Sequence, residues 1–128
     1  MRYSDLDRLI SGKNFVIAVD FDDTITIPSP FPITGKVRKD AIFYIKKMYE
    51  NGVMLILWTC RVDNYLSEAT AILKEAGILN CFSKINDNIS GSSRKVYADF
   101  YIDDKSMQIN WKKIYKEVCR RRRILNEK

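Results

Sequence analysis

Short apolar runs alternate with helical patterns along this chain. The runs Phe15–Val19 and Val53–Trp58 are continuous, as is typical of strands covered on both faces of a parallel sheet. Two weaker strands are predicted over Phe82–Ile85 and Val96–Ile102. Because helical patterns separate most of these strands, the order predicts βαβ units around a mainly parallel sheet.

Four segments carry apolar residues at helical spacing. They are Ser4–Ile10, Val37–Glu50, the segment capped by Asp63 or Asn64 that ends at Gly77, and Met107–Arg123. The intervening segment 20–35 holds three prolines and is predicted to be a loop. We therefore expect a three-layer α/β/α sandwich with a Rossmann-like sheet of four or more strands and no second domain.

Composition limits the class of protein further. The 128 residues fit one domain, 1–128, with 46% hydrophobic and 30% charged residues and no internal repeat. No apolar run approaches the ~20 residues that cross a bilayer, and the first residues lack the pattern of a signal peptide. The three cysteines form no CxxC pair, so we expect reduced thiols in a cytoplasmic protein without membrane contact.

The positive charge is concentrated near the end of the chain. The net charge is +6, and the segments 112–116 and 120–123 hold seven of the 22 basic residues. Such a cluster is typical either of a nucleic-acid contact or of a solvated helix face, and we favour the second. The chain has no histidine, which excludes histidine metal sites, Ser-His-Asp triads and histidine bases.

Polar residues follow three of the predicted strands directly. The segment 20–24 reads DFDDT, Thr59 and Arg61 follow the second strand, and Asp103 and Asp104 follow the fourth. The carboxyl ends of parallel strands lie along one edge of a sheet, where ligands bind. This predicts a site that gathers several carboxylates at that edge.

The carboxylates in this set need a counter-charge. Asp20, Asp22, Asp103 and Asp104 would repel one another unless a cation neutralised them. An all-oxygen ligand set favours Mg²⁺ over zinc or copper. We therefore expect a magnesium site formed by these four residues.

The same residues suggest phosphoryl transfer. Asp20 could attack phosphorus to form an aspartyl-phosphate, and Asp22 could act as the acid and base. Thr59 offers a hydroxyl and a backbone N–H to a phosphoryl oxygen, and Lys95 could reach back with a fixed positive charge. The predicted catalytic residues are therefore Asp20, Asp22, Thr59 and Lys95.

The motifs resemble those of the haloacid dehalogenase-like (HAD) superfamily. The segment 20–24 is similar to its DxDxT signature, the strand ending in Thr59 to its second motif, Lys95 to its third, and the strand ending in Asp103-Asp104 to its fourth. The resemblance implies that Asp20 is the nucleophile and Asp22 the acid/base, whose backbone carbonyl also contacts the metal. It implies that Asp103 is a metal ligand, that Asp104 supports the metal, and that the first strand lies centrally beside the strand bearing Asp103. Since dehalogenases of this superfamily lack the second aspartate, Asp22 favours phosphate.

The chain has no room for the cap domain that many members of this superfamily insert. Neither 24–59 nor 60–95 exceeds a few secondary elements, so it resembles the capless phosphatases. The proline-containing loop Ile25–Thr34 could form a small flap. We expect a small phosphorylated metabolite or nucleotide as substrate, with a phosphorylated nucleic-acid end as the alternative. Whether the protein forms a homo-oligomer is left open by the sequence.

Two other classes of protein compete with this interpretation. A signalling receiver domain has similar groups, but its phosphorylated aspartate follows a later strand and its lysine comes last. A non-catalytic nucleic-acid-binding protein could use the basic segment on the same scaffold. For other residues we expect Asp23 as a turn or capping residue and Trp58 and Trp111 in the core, and a substrate contact for Arg61 is left open.

Overall fold

The computed structural model describes residues 15–87, 89 and 96–127, with side chains as far as residue 123. Four strands and three α-helices follow one another, with a short 3-10 helix at Leu79–Cys81. They are β1 (Val16–Val19), α1 (Lys39–Glu50), β2 (Met54–Leu57), α2 (Asp63–Glu75), β3 (Phe82–Ile85), β4 (Phe100–Ile102) and α3 (Trp111–Glu127). The predicted helix Ser4–Ile10 lies outside the described residues.

The four strands form one parallel sheet in the order β3-β2-β1-β4. Val19 in the central β1 lies opposite Leu57 on one side and Ile102 on the other. The polar residues that follow these three strands are therefore brought to the same edge. The α/β class and the position of β1 beside the strand bearing Asp103 are confirmed.

The two faces of the sheet are covered differently. Alternate residues of β1, such as Ile17 and Val19, pack with apolar residues of all three helices into the main core. On the opposite face, Val16 and Ala18 pack against Val96 and Ala98 in a smaller cluster. Among the described residues the helices thus lie on one face, and an extended segment covers the other.

The helices follow the apolar spacing of the sequence. Ala41, Ile45 and Met48 recur along α1 at positions i, i+4 and i+7, and all three are fully buried. The helix ends before Gly52, whose φ of 84° favours glycine and turns the chain into β2. At the start of α2 the cap is Val62, without a side-chain hydrogen bond, so the predicted Asp63 or Asn64 cap was wrong.

Two boundaries differ from the sequence prediction. β4 begins at Phe100 and not at Val96, because Val96 and Ala98 pack on the face of the sheet and only the last three residues pair with β1. The last helix begins at Trp111 and not at Met107. Trp111 is fully buried as expected, but Trp58 is partly exposed at the end of β2, so its predicted core position was wrong.

The two ends of the predicted flap are joined by a single antiparallel bridge. Thr26 and Val37 form an antiparallel bridge, and the N–H of Ile27 donates to the carbonyl of Lys36 at 2.9 Å. A Cβ on Gly35 would lie 2.1 Å from the carbonyl oxygen of Ile27, so this close approach requires glycine. The hairpin arises next to Asp22 and is held at its base.

No helix in the described part of the chain is long and apolar enough to cross a membrane. All three cysteines are free thiols, with Cys81 buried and the other two exposed.

Candidate active site

Three carboxylates meet at the carboxyl edge of the central strands. Asp20, Asp103 and Asp104 each offer one oxygen, and these oxygens all lie within 4.8 Å of one another. The backbone N–H of Asp20 donates to the carbonyl of Ile102 at 2.9 Å, which continues the β1–β4 ladder to the site. The sheet register therefore brings together residues more than 80 positions apart in the sequence.

Thr24 joins the two sides of this cluster. Its fully buried hydroxyl donates to Asp20 Oδ2 at 3.3 Å and accepts the N–H of Asp104 at 3.1 Å. Trp111 donates its ring N–H to the carbonyl of Thr24 at 3.1 Å, which anchors the turn to α3. A buried hydroxyl with both functions satisfied therefore connects the carboxylate of Asp20 to the backbone of Asp104.

The turn that carries Thr24 depends on Asp23. The N–H groups of Ile25 and Thr26 converge on the carbonyl of Phe21. Asp23 has a φ of 62°, its N–H donates to Thr26 Oγ1 at 3.0 Å, and its carboxylate accepts the N–H of Ser29. Aspartate tolerates this left-handed conformation better than most residues, and the predicted turn role of Asp23 is confirmed.

The environment makes ionisation of Asp20 difficult. Burial, followed by the charge of Asp103 and a hydrogen bond and charge from Asp104, raises the pKa of Asp20 from 3.8 to about 7. An opposite charge beside Asp20 would offset this cost.

Asp22 does not join the cluster, because its carboxylate faces Arg61. Arg61 donates from Nε to Asp22 Oδ2 at 2.8 Å and from Nη2 to Oδ1 at 2.7 Å. The side chain of Arg61 is only 3% exposed, whereas that of Asp22 is 39% exposed. This two-bond pair holds the carboxylate of Asp22 in a fixed orientation at the open side of the site.

Arg61 also connects Asp22 to the flap and to α2. Its Nη1 donates to the carbonyl of Tyr65 at 3.1 Å and to Glu68 at 3.3 Å, and its Nη2 donates to the hydroxyl of Thr34 at 2.8 Å. Hydrogen bonds from Thr34 and Arg61 lower the pKa of Glu68, and the pair with Asp22 raises the pKa of Arg61. Arg61 therefore acts within the protein, and the open question of its role is answered in favour of positioning.

Thr59 lies at the predicted edge of the sheet, but it offers a ligand only its hydroxyl hydrogen and not its backbone N–H. Its backbone N–H donates to Asn86 Oδ1 at 2.7 Å, so the expected N–H contact with a phosphoryl oxygen was wrong for this arrangement. Its hydroxyl oxygen accepts the N–H of Arg61 at 3.2 Å, which leaves the hydroxyl hydrogen for a ligand. Asn86, at the end of β3 with a φ of 52°, thus fixes the loop that carries Thr59.

Lys95 lies outside the described residues, so its predicted role stays a prediction. Lys105 places its Nζ 3.7 Å from Asp104 and is otherwise largely exposed. It therefore contributes a positive charge at the rim of the cluster.

The sequence analysis missed the roles of Thr24, Arg61 and Asn86. Thr24 belongs to the DFDDT segment and could have been assigned from it. Arg61 and Asn86 act through partners 39 and 27 positions away, and no local pattern marks these pairs.

The basic segment near the end of the chain is partly neutralised. Glu117 accepts hydrogen bonds from Arg120 and Arg121 on the same helix. Arg121 also lies over the ring of Phe100, 4.6 Å from its centroid. These contacts support the solvated-face interpretation that we favoured.

The fold and the site together define an α/β protein with a parallel, Rossmann-like sheet that gathers carboxylates at its carboxyl edge. No protein-family model and no curated protein sequence matches the chain. A solved structure, described as that of the conserved protein coded by locus from Bacteroides thetaiotaomicron, is similar with a TM-score of 0.75 and 31% sequence identity. The match covers 84% of this chain and 92% of that one. The chain therefore belongs to the same family as that conserved protein, whose description names no activity.

Proposed function

We propose that this chain is a Mg²⁺-dependent, HAD-like phosphohydrolase that cleaves phosphate monoesters through an aspartyl-phosphate on Asp20. The observation that carries the proposal is the meeting of Asp20, Asp103 and Asp104 at the sheet edge, with carboxylate oxygens within 4.8 Å of one another. This cluster agrees with the roles that the resemblance implies. The cytoplasmic location expected from the sequence agrees with three free cysteines.

The donor set fits a hard divalent cation. Three neighbouring carboxylates supply oxygen ligands only, and a cation would stabilise the ionised form of Asp20, whose pKa is raised by burial and then by the charge of Asp103. Asp20, Asp103 and Asp104 would hold the ion, and the backbone carbonyl of Asp22 is the further ligand that the resemblance implies. Bound there, Mg²⁺ would supply positive charge to neutralise a phosphoryl group.

The protein groups account for the rest of the reaction. Asp22 first takes up a proton from solvent on the open side of its carboxylate. An oxygen of Asp20 then forms a bond to phosphorus while the ester P–O bond breaks, and Asp22 gives that proton to the leaving oxygen. Asp22 then takes a proton from the water that attacks phosphorus, and phosphate and free Asp20 result. Thr24 orients Asp20, and Arg61 orients Asp22 with one side of its carboxylate open to solvent. The Thr59 hydroxyl, at the same edge, would donate to a phosphoryl oxygen, and Lys95 is the expected fixed cation.

A receiver domain or a dead scaffold would not need a second acid held in place. The pair of Asp22 with the buried Arg61 supports turnover over either alternative. A small phosphorylated metabolite or nucleotide remains the proposed substrate class, and the ion pairs of Arg120 and Arg121 with Glu117 leave these two side chains less available to a nucleic-acid end.

Hydrolysis of p-nitrophenyl phosphate by the purified protein tests the proposal. We expect activity with Mg²⁺ or Mn²⁺, none in excess chelator, and a loss of about a thousandfold or more in Asp20→Asn. Asp63→Asn, which changes an exposed carboxylate at the start of α2, is the matched control and should keep its activity. A folded Asp20→Asn variant with a rate near wild type, or full activity in chelator, would exclude this mechanism.

A further inference from the structure

Exposed apolar side chains lie on the two segments that Arg61 connects to Asp22, the flap and the start of α2. Phe31 and Ile33 on the flap, and Val62 and Tyr65 at the start of α2, are between 44% and 68% exposed. We call these four residues the apolar rim. Large exposed apolar groups that lie together on a soluble domain mark ligand or partner contacts.

The rim is held together and connected to the acid. The rings of Phe31 and Tyr65 lie 5.0 Å apart at 55°, which joins the flap to α2. Arg61 donates both to the carbonyl of Tyr65 and to the hydroxyl of Thr34, three residues after Phe31. Since the same guanidinium holds both oxygens of Asp22, the rim and the acid are fixed by one buried side chain.

The position of the rim determines which part of the substrate it contacts during the reaction. In an in-line displacement the leaving oxygen departs on the side opposite the attacking Asp20, and it must lie within reach of Asp22 to receive a proton. Whatever is attached to that oxygen therefore extends past Asp22, toward the flap and the start of α2. The rim adjoins Asp22 on these two segments, because Arg61 binds Asp22, the carbonyl of Tyr65 and the hydroxyl of Thr34 together.

The chemistry of the rim favours a planar apolar group over a charged one. None of the four side chains carries a charge, and two are aromatic rings that can stack on a flat partner. The nearby Glu68 accepts hydrogen bonds from Arg61 and Thr34, and its negative charge disfavours a second phosphate at this position. Among the four rim side chains, only the hydroxyl of Tyr65 could form a hydrogen bond with a sugar polyol.

We infer that the apolar rim is a leaving-group subsite, and that the substrate is a phosphate monoester whose leaving group carries a planar aromatic ring, such as a nucleobase. This inference rests on the proposed phosphohydrolase function and adds the substrate class to it. A second copy of this chain could also bind such a surface. The test below distinguishes that dimer contact from binding of a leaving group.

Adenosine 5′-monophosphate and ribose 5-phosphate form a matched pair of probes. Both are 5′-phosphate esters of the same ribose, so they differ at the leaving group only by the base. We expect kcat/KM with Mg²⁺ to be about tenfold or more higher for the nucleotide, as stacking of one base on a protein ring provides. Phe31→Ala should remove most of that advantage and leave the rate with ribose 5-phosphate within about twofold.

Phe43→Ala is the matched control. Phe43 is an exposed phenylalanine on α1 that packs edge-on against Tyr44, away from the rim. This variant should keep the full preference for the nucleotide. Tyr65→Ala provides a second test of the rim, because it removes the other ring and should act like Phe31→Ala.

Four results would overturn the inference. Equal kcat/KM for the two probes, or an equal loss with both in Phe31→Ala, would show that the rim does not contact the base. A dimer in sedimentation that dissociates in Phe31→Ala, without a nucleotide preference, would assign the rim to a second copy. In these cases p-nitrophenyl phosphate would still be hydrolysed in an Asp20-dependent way, and the proposed function would stand. If no phosphate ester is hydrolysed, the proposed function fails and the subsite fails with it.

Discussion

Replacement of Asp20 by asparagine should stabilise the metal-free protein at neutral pH while it abolishes turnover. The structure places Asp20 beside Asp103 and Asp104 and raises its pKa from 3.8 to about 7, mainly through burial and then through the charge of Asp103. Asparagine has nearly the same shape and can still accept the hydrogen bond from Thr24 through its amide oxygen. The substitution therefore removes the charge and retains the packing.

The sign of the effect follows from proton binding in the two states. Below pH 3.8 the Asp20 carboxyl is protonated both in the native and in the unfolded protein, so it makes no difference to stability. Between pH 3.8 and about 7 the unfolded chain loses this proton first, and the free energy of unfolding falls as the pH rises. Above that range the full penalty of the ionised carboxylate is present.

The gain in unfolding free energy can be derived from the same pKa difference. A difference of roughly 3 units corresponds to ~4 kcal/mol at 1.36 kcal/mol per unit. Because Asp20 is only partly buried and the site is open to salt, we take about half of this, ~2 kcal/mol. For a domain of this size that corresponds to an increase in Tm of about 6–10 °C.

Thermal unfolding in excess chelator measures the effect. We expect the Tm of Asp20→Asn to match wild type near pH 4 and to exceed it at pH 8, with Asp63→Asn unchanged within a few degrees at both. Added Mg²⁺ should raise the Tm of wild type at pH 8 and have little effect on Asp20→Asn, because the cation binds the charged cluster. An Asp20→Asn protein no more stable than wild type at pH 8, or with the same gain at pH 4, would refute the reasoning.

The remaining predictions concern the groups around the cluster. Asp22→Asn should lower kcat/KM about a hundredfold or more with alkyl phosphates and much less with p-nitrophenyl phosphate, whose leaving group needs no proton; an equal loss with both would show that Asp22 is not the acid. Arg61→Met should cost about 1–2 kcal/mol in urea unfolding, because it removes the hydrogen bonds of a buried guanidinium while the Asp22 carboxylate, 39% exposed, stays accessible to water, and an unchanged stability would contradict the assigned network. Thr24→Val should cost about 1–3 kcal/mol and raise the Mg²⁺ concentration needed for half-maximal activity, since the hydroxyl joins Asp20 to the N–H of Asp104; an unchanged Mg²⁺ requirement would assign Thr24 a purely structural role.

The central strands of the sheet, and the edge at which the aspartates lie, could be predicted from the sequence alone. The chain contains two continuous apolar runs, Phe15–Val19 and Val53–Trp58, and such runs are typical of strands that are covered on both faces of a parallel sheet. Since parallel strands end at one edge, Asp20, Thr59 and Asp103 could be placed together without knowledge of any contact. The helices followed from apolar spacing in the same local way, with ends that shifted by a few residues.

The hydrogen-bond and ion-pair partners of the polar groups could be identified only from the tertiary structure. The carboxylate of Asp22 pairs with Arg61, the N–H of Thr59 goes to Asn86, and the hydroxyl of Thr24 reaches Asp104. The shortening of β4 and the exposure of Trp58 depend in the same way on what packs beside them. Periodicity and turn residues are properties of neighbours in the chain, so they specify elements and their order. A hydrogen bond depends on distances of about 3 Å between groups far apart in sequence, and those distances are fixed only when the elements pack.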